Sequence, residues 1–230
     1  MKKGEFTRAR RILCVGYRVW ALNIYGRLLE EFKEKDITVI NGVVEYENFD
    51  IDAYRPDLIL FYGWSNIVPA NIIRNYTCLM LHPSDLPNYK GGSPLQNQII
   101  DGVIDSKVTI FHMNEVIDGG DILGKMSLSL RGSITAIFRR IEDIGFELTK
   151  TILSEGASRV KQNGGSLPYH ERRKPAQSEI TPDELANRNA EYLYNKIRML
   201  GDPYPNAFIR TKDGKKLVIT EAYIDEIDDQ

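Results

Sequence analysis

Residues 78–94 read CLMLHPSDLPNYKGGSP, a short apolar run that ends in His82-Pro83 and continues as a loop rich in proline and glycine. A short, continuous apolar run of this kind is typical of a strand that is buried on both faces. In an open α/β sheet, ligands bind beyond the carboxyl ends of the strands, where the His82 imidazole would project. These residues therefore predict a sheet strand that ends at a functional site.

Apolar runs of strand length recur on both sides of this stretch, and segments with helical spacing alternate with them. This alternation predicts an α/β fold with an open, mostly parallel, Rossmann-like sheet and helices on both of its faces. The first strand-to-helix turn lacks the G-x-G-x-x-G spacing of dinucleotide sites, so a dinucleotide cofactor is not expected. The other predicted strands are residues 11–16, 38–44, 56–63 and 108–113, and the predicted helices are residues 20–34 and about 135–163, the latter closed by Gly164-Gly165.

The overall composition argues against several classes of protein. The chain has 30 basic and 32 acidic side chains, a net charge of −2, which disfavours a nucleic-acid partner. Cys14 and Cys78 both lie in apolar runs and are expected to be buried, reduced thiols. The sequence has no Cys/His cluster with metal-ligand spacing and no apolar run near the roughly 18 residues of a membrane span. We expect a soluble, cytoplasmic protein that binds neither a metal nor a membrane.

A second polar segment, VIDGGDIL, places the carboxylates of Asp118 and Asp121 around a Gly-Gly turn just after a predicted strand. The pair lacks the further acidic ligands that a calcium site needs. Among the histidines, His112 lies within a predicted strand and His170 in a charged loop, so both are interpreted as structural. His82 is the candidate functional histidine because it stands at the end of a strand.

The order of these two segments resembles that of the formyltransferases that use N10-formyltetrahydrofolate. The shared pattern is a strand, HPSDLPNYKGGSP, thirteen further residues and then VTIFHMNEVIDGGDIL, and it covers roughly residues 10–150. The family includes methionyl-tRNA formyltransferase, glycinamide ribonucleotide transformylase and the nucleotide-sugar N-formyltransferases. The resemblance implies a formyltransferase catalytic domain in residues 1–172, with N10-formyltetrahydrofolate as cosubstrate and no metal.

The resemblance also implies which residues carry the chemistry. The histidine of the family falls on His82, which would accept a proton from the attacking amine or, when protonated, stabilise the oxyanion. The aspartate falls on Asp121, which would orient that imidazole. The family has an asparagine two residues before the histidine, but Met80 stands there, and a thioether cannot donate a hydrogen bond to the formyl oxygen. An active enzyme therefore needs another donor, either His82 itself or a backbone N–H.

By the same resemblance, folate would lie in a cleft walled by the segment after the third predicted strand and by the residues around the Gly-Gly turn. Core packing is the alternative role for Tyr62 and Trp64. The residues expected to contact folate are Tyr62, Gly63, Trp64, Ile67, Val68, Asp118 and Gly119.

The C-terminal part resembles the tail of the short nucleotide-sugar N-formyltransferases, through LYNKIR at residues 193–198 and GDPYPNAF at residues 201–208. The resemblance implies as acceptor the amine of a UDP- or TDP-linked 4-amino-deoxy sugar, used for a bacterial surface glycan such as lipopolysaccharide or a flagellar glycan. Met80 and the short chain resemble the N-formyltransferase of pseudaminic acid biosynthesis. Cationic side chains suit a pyrophosphate, and a rigid Pro-Tyr-Pro aromatic suits a nucleobase. The residues expected to bind this substrate are Lys90, Gly91, Ser93, Arg198, Tyr204 and Arg210.

Two alternatives remain open. Within the family, the acceptor could instead be a purine precursor or a tRNA-linked methionine. The tRNA-formylating members carry a sizeable C-terminal domain, whereas the segment after Arg172 is short and ends in acidic residues. Outside the family's activity, loss of the asparagine at position 80 could leave a non-catalytic protein that binds folate or a nucleotide sugar.

Residues 173–230 predict a small C-terminal subdomain made of a helix and a β-hairpin. TPDE at residues 181–184 is typical of a helix start, and this helix is predicted to run to about residue 200. The alternating runs 207–211 and 215–222 flank an Asp-Gly pair and predict the hairpin.

The predicted hairpin has an apolar face that needs cover. A two-stranded hairpin is only marginally stable alone, and the preceding helix has more apolar residues than the hairpin can bury. We therefore predict a homodimer built largely from the C-terminal third of the chain. The alternative is that the helix and hairpin simply pack on the main sheet. The apolar face consists of Ala207, Ile209, Leu217 and Ile219.

Overall fold

The computed structural model describes residues 4–163 and 169–225, and it confirms the predicted α/β fold. Its strands are β1 (Arg11–Gly16), β2 (Asp36–Asn41), β3 (Leu58–Phe61), β4 (Cys78–His82), β5 (Asp105–His112), β6 (Ile122–Ser129), β7 (Ala207–Arg210) and β8 (Lys216–Ile219). Six of them form one sheet in the order β2-β1-β3-β4-β5-β6. The strands β1 to β4 are parallel, whereas β5 pairs antiparallel with both β4 and β6. The sequence does not predict β6, an edge strand in which Gly124 and Lys125 interrupt the apolar run.

The helices lie on both faces of this sheet, as predicted. They are α1 (Gly4–Thr7), α2 (Val19–Glu31), α3 (Val43–Asn48), α4 (Ile51–Tyr54), α5 (Ala70–Asn75), α6 (Pro94–Ile100), α7 (Ile134–Glu155), α8 (Pro182–Asn187) and α9 (Ala190–Arg198), with a 3₁₀ turn at Pro175–Ser178. In β1, Ile12 and Cys14 belong to a buried cluster shared with α2 and α7. Leu13 and Val15 belong to a second cluster, shared with α4 and α5. Burial on both faces explains why the central strands read as continuous apolar runs.

The end of β3 is held against α2 by a buried tyrosine. The Tyr25 hydroxyl accepts a hydrogen bond from the Tyr62 N–H at 2.7 Å and lies 2.9 Å from the Leu60 carbonyl oxygen. The Tyr25 and Tyr62 rings stack with their centroids 5.6 Å apart. This contact fixes the point at which the chain leaves β3.

Two helix predictions differ from the structure. The helix predicted for residues 135–163 ends at Glu155, and its predicted closure at Gly164-Gly165 lies outside the described residues, as does the acidic end at residues 226–230. The helix predicted from Thr181 to about residue 200 is two helices, α8 and α9. Thr181 caps α8 as predicted, but the Asn189 side chain then accepts a hydrogen bond from the Tyr192 N–H and starts α9.

The hairpin of β7 and β8 is confirmed, and it packs on the main domain. The Ile180 N–H donates to the Phe208 carbonyl at 2.8 Å, and Ala207 is buried in the same cluster as α7. Ile209 and Ile219 also pack against that cluster, whereas Leu217 is 56% exposed. Most of the predicted apolar face is therefore covered within the chain. The predicted boundary between two domains at residue 172 stays a prediction.

The sequence also predicts that both cysteines are buried, reduced thiols and that the chain has no membrane span. Cys14 and Cys78 are free and buried, as predicted, and burial raises the pKa of the Cys78 thiol to about 12. Within the described part of the chain, no helix is both long enough and apolar enough to cross a bilayer.

Candidate active site

A cleft of about 720 Å³ opens beyond the carboxyl ends of β3 and β4, where the sequence predicts a site. Its walls include His82 at the end of β4, the loop that follows β3, and the turn that follows β5. The residues that line it come from both buried clusters, so it lies across the edge of the sheet rather than on one face.

A buried histidine and a buried carboxylate meet in this cleft. His82 is 5% exposed, and its Nδ1 lies 3.6 Å from Oδ2 of Asp118, which is also buried. The same carboxylate oxygen accepts a hydrogen bond from the Gly91 N–H at 2.8 Å. The other ring nitrogen, Nε2, lies 2.9 Å from the carbonyl oxygen of Tyr89. Because a carbonyl only accepts, Nε2 carries a hydrogen, and Nδ1 is the atom of the neutral imidazole that can take up a proton.

The carboxylate beside His82 is Asp118, so the prediction that Asp121 orients this imidazole is wrong. The Asp121 carbonyl accepts a hydrogen bond from the His112 N–H at 2.8 Å. The pKa of His112 lies below its usual value because of burial and the nearby Arg159, while Glu5 and Asp121 act in the opposite direction. Asp121 is thus held at the end of β5 by its backbone, and it is not among the residues that line the cleft.

The turn between the two acids explains this arrangement. Asp118 has a φ of 49°, in the left-handed region, and Gly119 and Gly120 follow it. A Cβ on Gly120 would lie 1.7 Å from the carbonyl oxygen of His112, so only glycine fits there. This close approach sends Asp118 into the cleft and Asp121 towards β5.

Met80 lies on the same face of β4 as His82, two residues earlier, and it lines the cleft. It pairs in register with Phe61 of β3 and Phe111 of β5. The structure thus places a thioether, which donates no hydrogen bond, near the buried histidine.

One wall of the cleft is apolar. Trp64 and Val68, which follow β3, are buried, whereas Ile67 is 85% exposed at the rim. Gly63 and Asp118 also line the cleft, so five of the seven residues expected to contact folate lie there. Further apolar residues of this wall are Phe111, Met113, Val116 and Ile117.

The other two residues expected to contact folate do not line the cleft. Tyr62 is fully buried in the core, and its hydroxyl lies 3.0 Å from the Thr149 hydroxyl, so the alternative of core packing is correct for it. Gly119 closes the turn, with its N–H donating to the Val116 carbonyl at 3.0 Å.

A second part of the lining, the cationic wall, was not predicted from the sequence, and it adjoins the apolar wall where the Arg172 guanidinium donates to the Ser65 carbonyl at 3.3 Å. Arg18, Arg172, Arg173 and Lys174 all line the cleft, and none of them pairs with a carboxylate within residues 4–163 and 169–225. The Arg18 guanidinium lies 5.9 Å from the ring centroid of Tyr204, another lining residue. The consecutive cations RRK at residues 172–174 were the signal in the sequence, where they belong to the charged loop that contains His170.

This cationic segment reaches the cleft because it pairs with the loop after β4. The Gly92 N–H donates to the His170 carbonyl at 2.7 Å, and the His170 N–H donates to the Lys90 carbonyl at 2.9 Å. The Arg173 N–H then donates to Oγ of Ser93 at 3.0 Å. These bonds hold two segments side by side that are about eighty residues apart in sequence.

Three of the six predicted substrate-binding residues, Gly91, Ser93 and Tyr204, line the cleft, and the other three do not. The Arg198 guanidinium donates to the Asn195 side chain and to the backbone carbonyls of residues 130 and 132. Arg210 forms an ion pair with Glu179 at 3.0 Å. Lys90 contributes its carbonyl to the pairing with His170. No group of three or more metal-ligating side chains occurs within the part of the chain that the structure describes.

Comparison with known proteins places this geometry in a family. A family model described as formyl transferase matches residues 28–144. Methionyl-tRNA formyltransferase of Rickettsia typhi is 35% identical over 178 residues, which cover 75% of this chain and 57% of that protein. The chain therefore spans less than three fifths of the length of this curated relative.

Solved structures show the same relationship. Methionyl-tRNA formyltransferase from Clostridium thermocellum superposes with a TM-score of 0.79 at 34% identity, over 91% of this chain and 96% of that one. A 4-N formyltransferase from Francisella tularensis shares the fold, with a TM-score of 0.73 at 20% identity, over 95% of this chain and 99% of that one.

We expect Gly120→Ala to destabilise the fold by at least about 3 kcal/mol, because the new methyl group collides with the His112 carbonyl. Gly26→Ala is the matched control, since a Cβ there meets nothing within 4 Å on the exposed side of α2. That change should stabilise the protein by about 0.5–1 kcal/mol. Urea unfolding followed by circular dichroism measures both. Equal stability of Gly120→Ala and the wild type would show that the turn does not pack as described.

Proposed function

This chain belongs to the formyl transferase family, and we propose that it transfers a formyl group from N10-formyltetrahydrofolate to an amine. The observation that carries the proposal is the buried pair of His82 and Asp118 at the end of β4, open to a cleft with one apolar and one cationic wall. A buried imidazole beside a carboxylate is a group able to move a proton.

The pair matches what formyl transfer requires. The amine attacks as a neutral nucleophile and must lose a proton once its bond to the formyl carbon forms. Nδ1 of His82 is the atom positioned to take up that proton, and the Asp118 carboxylate 3.6 Å away stabilises the resulting imidazolium. General acid–base assistance of this kind contributes about 10²–10⁴ in rate.

The apolar wall fits the donor. A pterin is flat and largely aromatic, and Trp64, Val68 and Met113 provide a buried surface against which it can pack. The Trp64 Nε1 is buried and has no hydrogen-bond partner among the described residues, so it is free to donate to a polar edge of the ring. When bound there, the donor supplies the activated formyl group.

The cationic wall supports a nucleotide-linked acceptor. We infer that the acceptor is the amine of a UDP- or TDP-linked 4-amino-deoxy sugar used for a bacterial surface glycan. Guanidinium groups bind phosphate oxygens through paired hydrogen bonds, and Arg172, Arg173 and Lys174 offer three cations to one pyrophosphate. Tyr204 lies on the same wall, within reach of a base or sugar ring.

Methionyl-tRNA is the second candidate acceptor. It is favoured by the 35% identity to a curated methionyl-tRNA formyltransferase and by the solved relative that matches 91% of this chain at 34% identity. The cationic wall would then contact the terminal phosphates of the RNA. The net charge of −2 is a weaker match for such a polyanion than for a single pyrophosphate.

The direct test incubates the purified protein with N10-formyltetrahydrofolate and, separately, UDP- and TDP-linked 4-amino sugars and methionyl-tRNA. Mass spectrometry identifies the formylated product, and absorbance follows tetrahydrofolate release. Formylation of an amino sugar, and not of the tRNA, is the expected result. Formylation of methionyl-tRNA alone would assign the second acceptor, and no formylation of any amine would refute the proposed reaction.

His82→Asn and Asp118→Asn should each lower kcat/KM by at least about 10²-fold, because the proton acceptor or its partner charge is lost. Asp121→Asn is the matched control and should stay within about threefold of the wild type, since Asp121 does not line the cleft. Steady-state kinetics at one pH compares the three variants. A normal rate for Asp118→Asn, or a large loss for Asp121→Asn, would reverse the assignment.

Arg173→Ala should raise the acceptor KM about tenfold and leave the donor KM unchanged, because one charge-assisted contact to phosphate disappears. Arg210→Ala is the control, since this arginine pairs with Glu179 outside the cleft. Initial rates measured with each substrate varied in turn give both constants. An unchanged acceptor KM in Arg173→Ala would remove the cationic wall from acceptor binding.

We further propose that the chain forms a homodimer through β8. This strand is at the edge of its two-stranded sheet, and Leu217 and Val218 are 56% and 53% exposed. An edge strand with exposed apolar side chains pairs readily with another chain. Light scattering should give about twice the 26.3 kDa chain mass, and Leu217→Lys should return it to one chain mass. A wild-type mass of one chain that does not change on concentration would exclude the dimer.

A further inference from the structure

Three consecutive buried amides in α6 differ in how they are used. The Asn97 amide donates to the Gly92 carbonyl at 3.0 Å, and the Gln98 amide donates to the Pro83 and Pro94 carbonyls at 2.8 and 2.9 Å. Gln98 also accepts a short hydrogen bond from Ser106. Gln96 is only 2% exposed, yet neither its Nε2 nor its Oε1 has a hydrogen-bond partner among the described residues.

An unpartnered buried amide costs free energy, so native proteins rarely keep one without a use for it. A glutamine at this position makes sense if its partner is a bound molecule. Gln96 lines the same cleft as His82 and Met80, so that molecule would be a ligand of the cleft.

The start of α6 is fixed close to the buried pair. The Gln98 amide is bonded to the carbonyl of Pro83, the residue directly after His82. Five residues before Gln96, the Gly91 N–H is bonded to Asp118. The helix is therefore tied to the residue after His82, and the loop that leads into it is tied to Asp118.

The chemistry of transfer requires a donor that position 80 does not supply. As the amine nitrogen bonds to the formyl carbon, the π electrons of the carbonyl move onto its oxygen. The amine nitrogen then passes a proton to His82, the electrons on the oxygen re-form the carbonyl, and the bond from that carbon to N10 breaks. Its electron pair stays on N10 and takes up the proton that His82 carries. Negative charge on the formyl oxygen needs a hydrogen bond, and Met80 has none to give.

We propose that Gln96 supplies this hydrogen bond, through its Nε2, to the formyl oxygen in the transition state; the assignment rests on the proposed formyl transfer. The last torsion of a glutamine side chain has a broad energy profile, and turning the amide breaks no bond because it makes none. Catalytic hydrogen bonds of this kind form fully only in the reacting complex.

Among the described residues that line the cleft, Trp64 Nε1 is the other buried donor without a partner, and its setting suits a different role. The indole is packed between Tyr17 and Tyr46, with ring centroids 5.6 and 5.0 Å away. It belongs to the apolar wall, where the flat part of the donor is expected to lie, and its packing prevents it from turning.

Gln96→Met tests the assignment because methionine keeps the length of the side chain and removes the donor. We expect kcat to fall about 10²–10³-fold with both KM values little changed. The midpoint of thermal unfolding should stay equal or rise, since no hydrogen bond is lost. Gln98→Met is the matched control in the same helix, and it should lower that midpoint by at least about 2–4 °C because its bonds to Pro83, Pro94 and Ser106 are broken.

A second variant tests whether the two positions serve the same oxygen. Adding Met80→Asn to Gln96→Met should restore kcat at least about tenfold, because an amide donor returns to the cleft beside His82. A double variant as slow as Gln96→Met would contradict the assignment.

Three further results would overturn it: an unchanged kcat in Gln96→Met, a rise confined to the acceptor KM, or a fall in unfolding temperature as large as that of Gln98→Met. The wild-type rate in the same assay shows whether the role of Gln96 alone fails or the proposed reaction fails as well. No transfer by the wild type would refute the proposed function and the role of Gln96 with it, whereas full turnover in Gln96→Met would refute only the role of Gln96.

Discussion

The hydrogen bond from the Gly91 N–H to the Asp118 carboxylate is the interaction on which the proposed site depends. It joins the loop after β4 to the turn after β5 and sets the carboxylate beside His82. Gly91 has a φ of 97°, and a Cβ there would meet the His170 carbonyl oxygen at 2.4 Å. The same residue therefore lets the cationic segment pair with this loop, so one backbone position organises both the buried pair and the cationic wall.

The lining of the cleft combines apolar and cationic residues that derive from different parts of the chain. The apolar wall follows from residues that leave β3 and β5 within the main sheet, such as Trp64 and Met113. The cationic wall, with Arg173 and Lys174, comes from a segment that crosses back over the loop after β4. A donor with a flat ring system and an acceptor with negative charge can thus both occupy this cleft, which His82 also lines.

Much of the fold could be predicted from the sequence because burial on both sheet faces leaves continuous apolar runs. The same patterns could not predict β6, whose exposed side chains are those of an edge strand. Helix boundaries were harder to predict where a side chain, such as that of Asn189, caps a new helix within a long apolar pattern. The hairpin was predictable from an Asp-Gly turn between alternating runs, but its packing on the main cluster was not.

The candidate site was predictable in place but not in every residue. The strand-end position identified His82, whereas the choice between Asp118 and Asp121 depends on a left-handed turn that spacing alone does not reveal. The position of Tyr62 just after a strand predicts a cleft residue, yet its hydroxyl forms a hydrogen bond with the Thr149 hydroxyl in the core. The cations at residues 172–174 join the cleft only through long-range backbone bonds, and the isolated amide of Gln96 becomes visible only once its neighbours' partners are known.

The most direct measurement is a crystal structure of the protein with 5-formyltetrahydrofolate, an isomer of the donor that does not transfer its formyl group readily. We expect the pterin to lie against Trp64 and Val68 and the formyl-bearing part of the folate to lie beside His82 and Asp118. Folate bound outside this cleft, or with that part beside Asp121 and His112, would contradict this expectation.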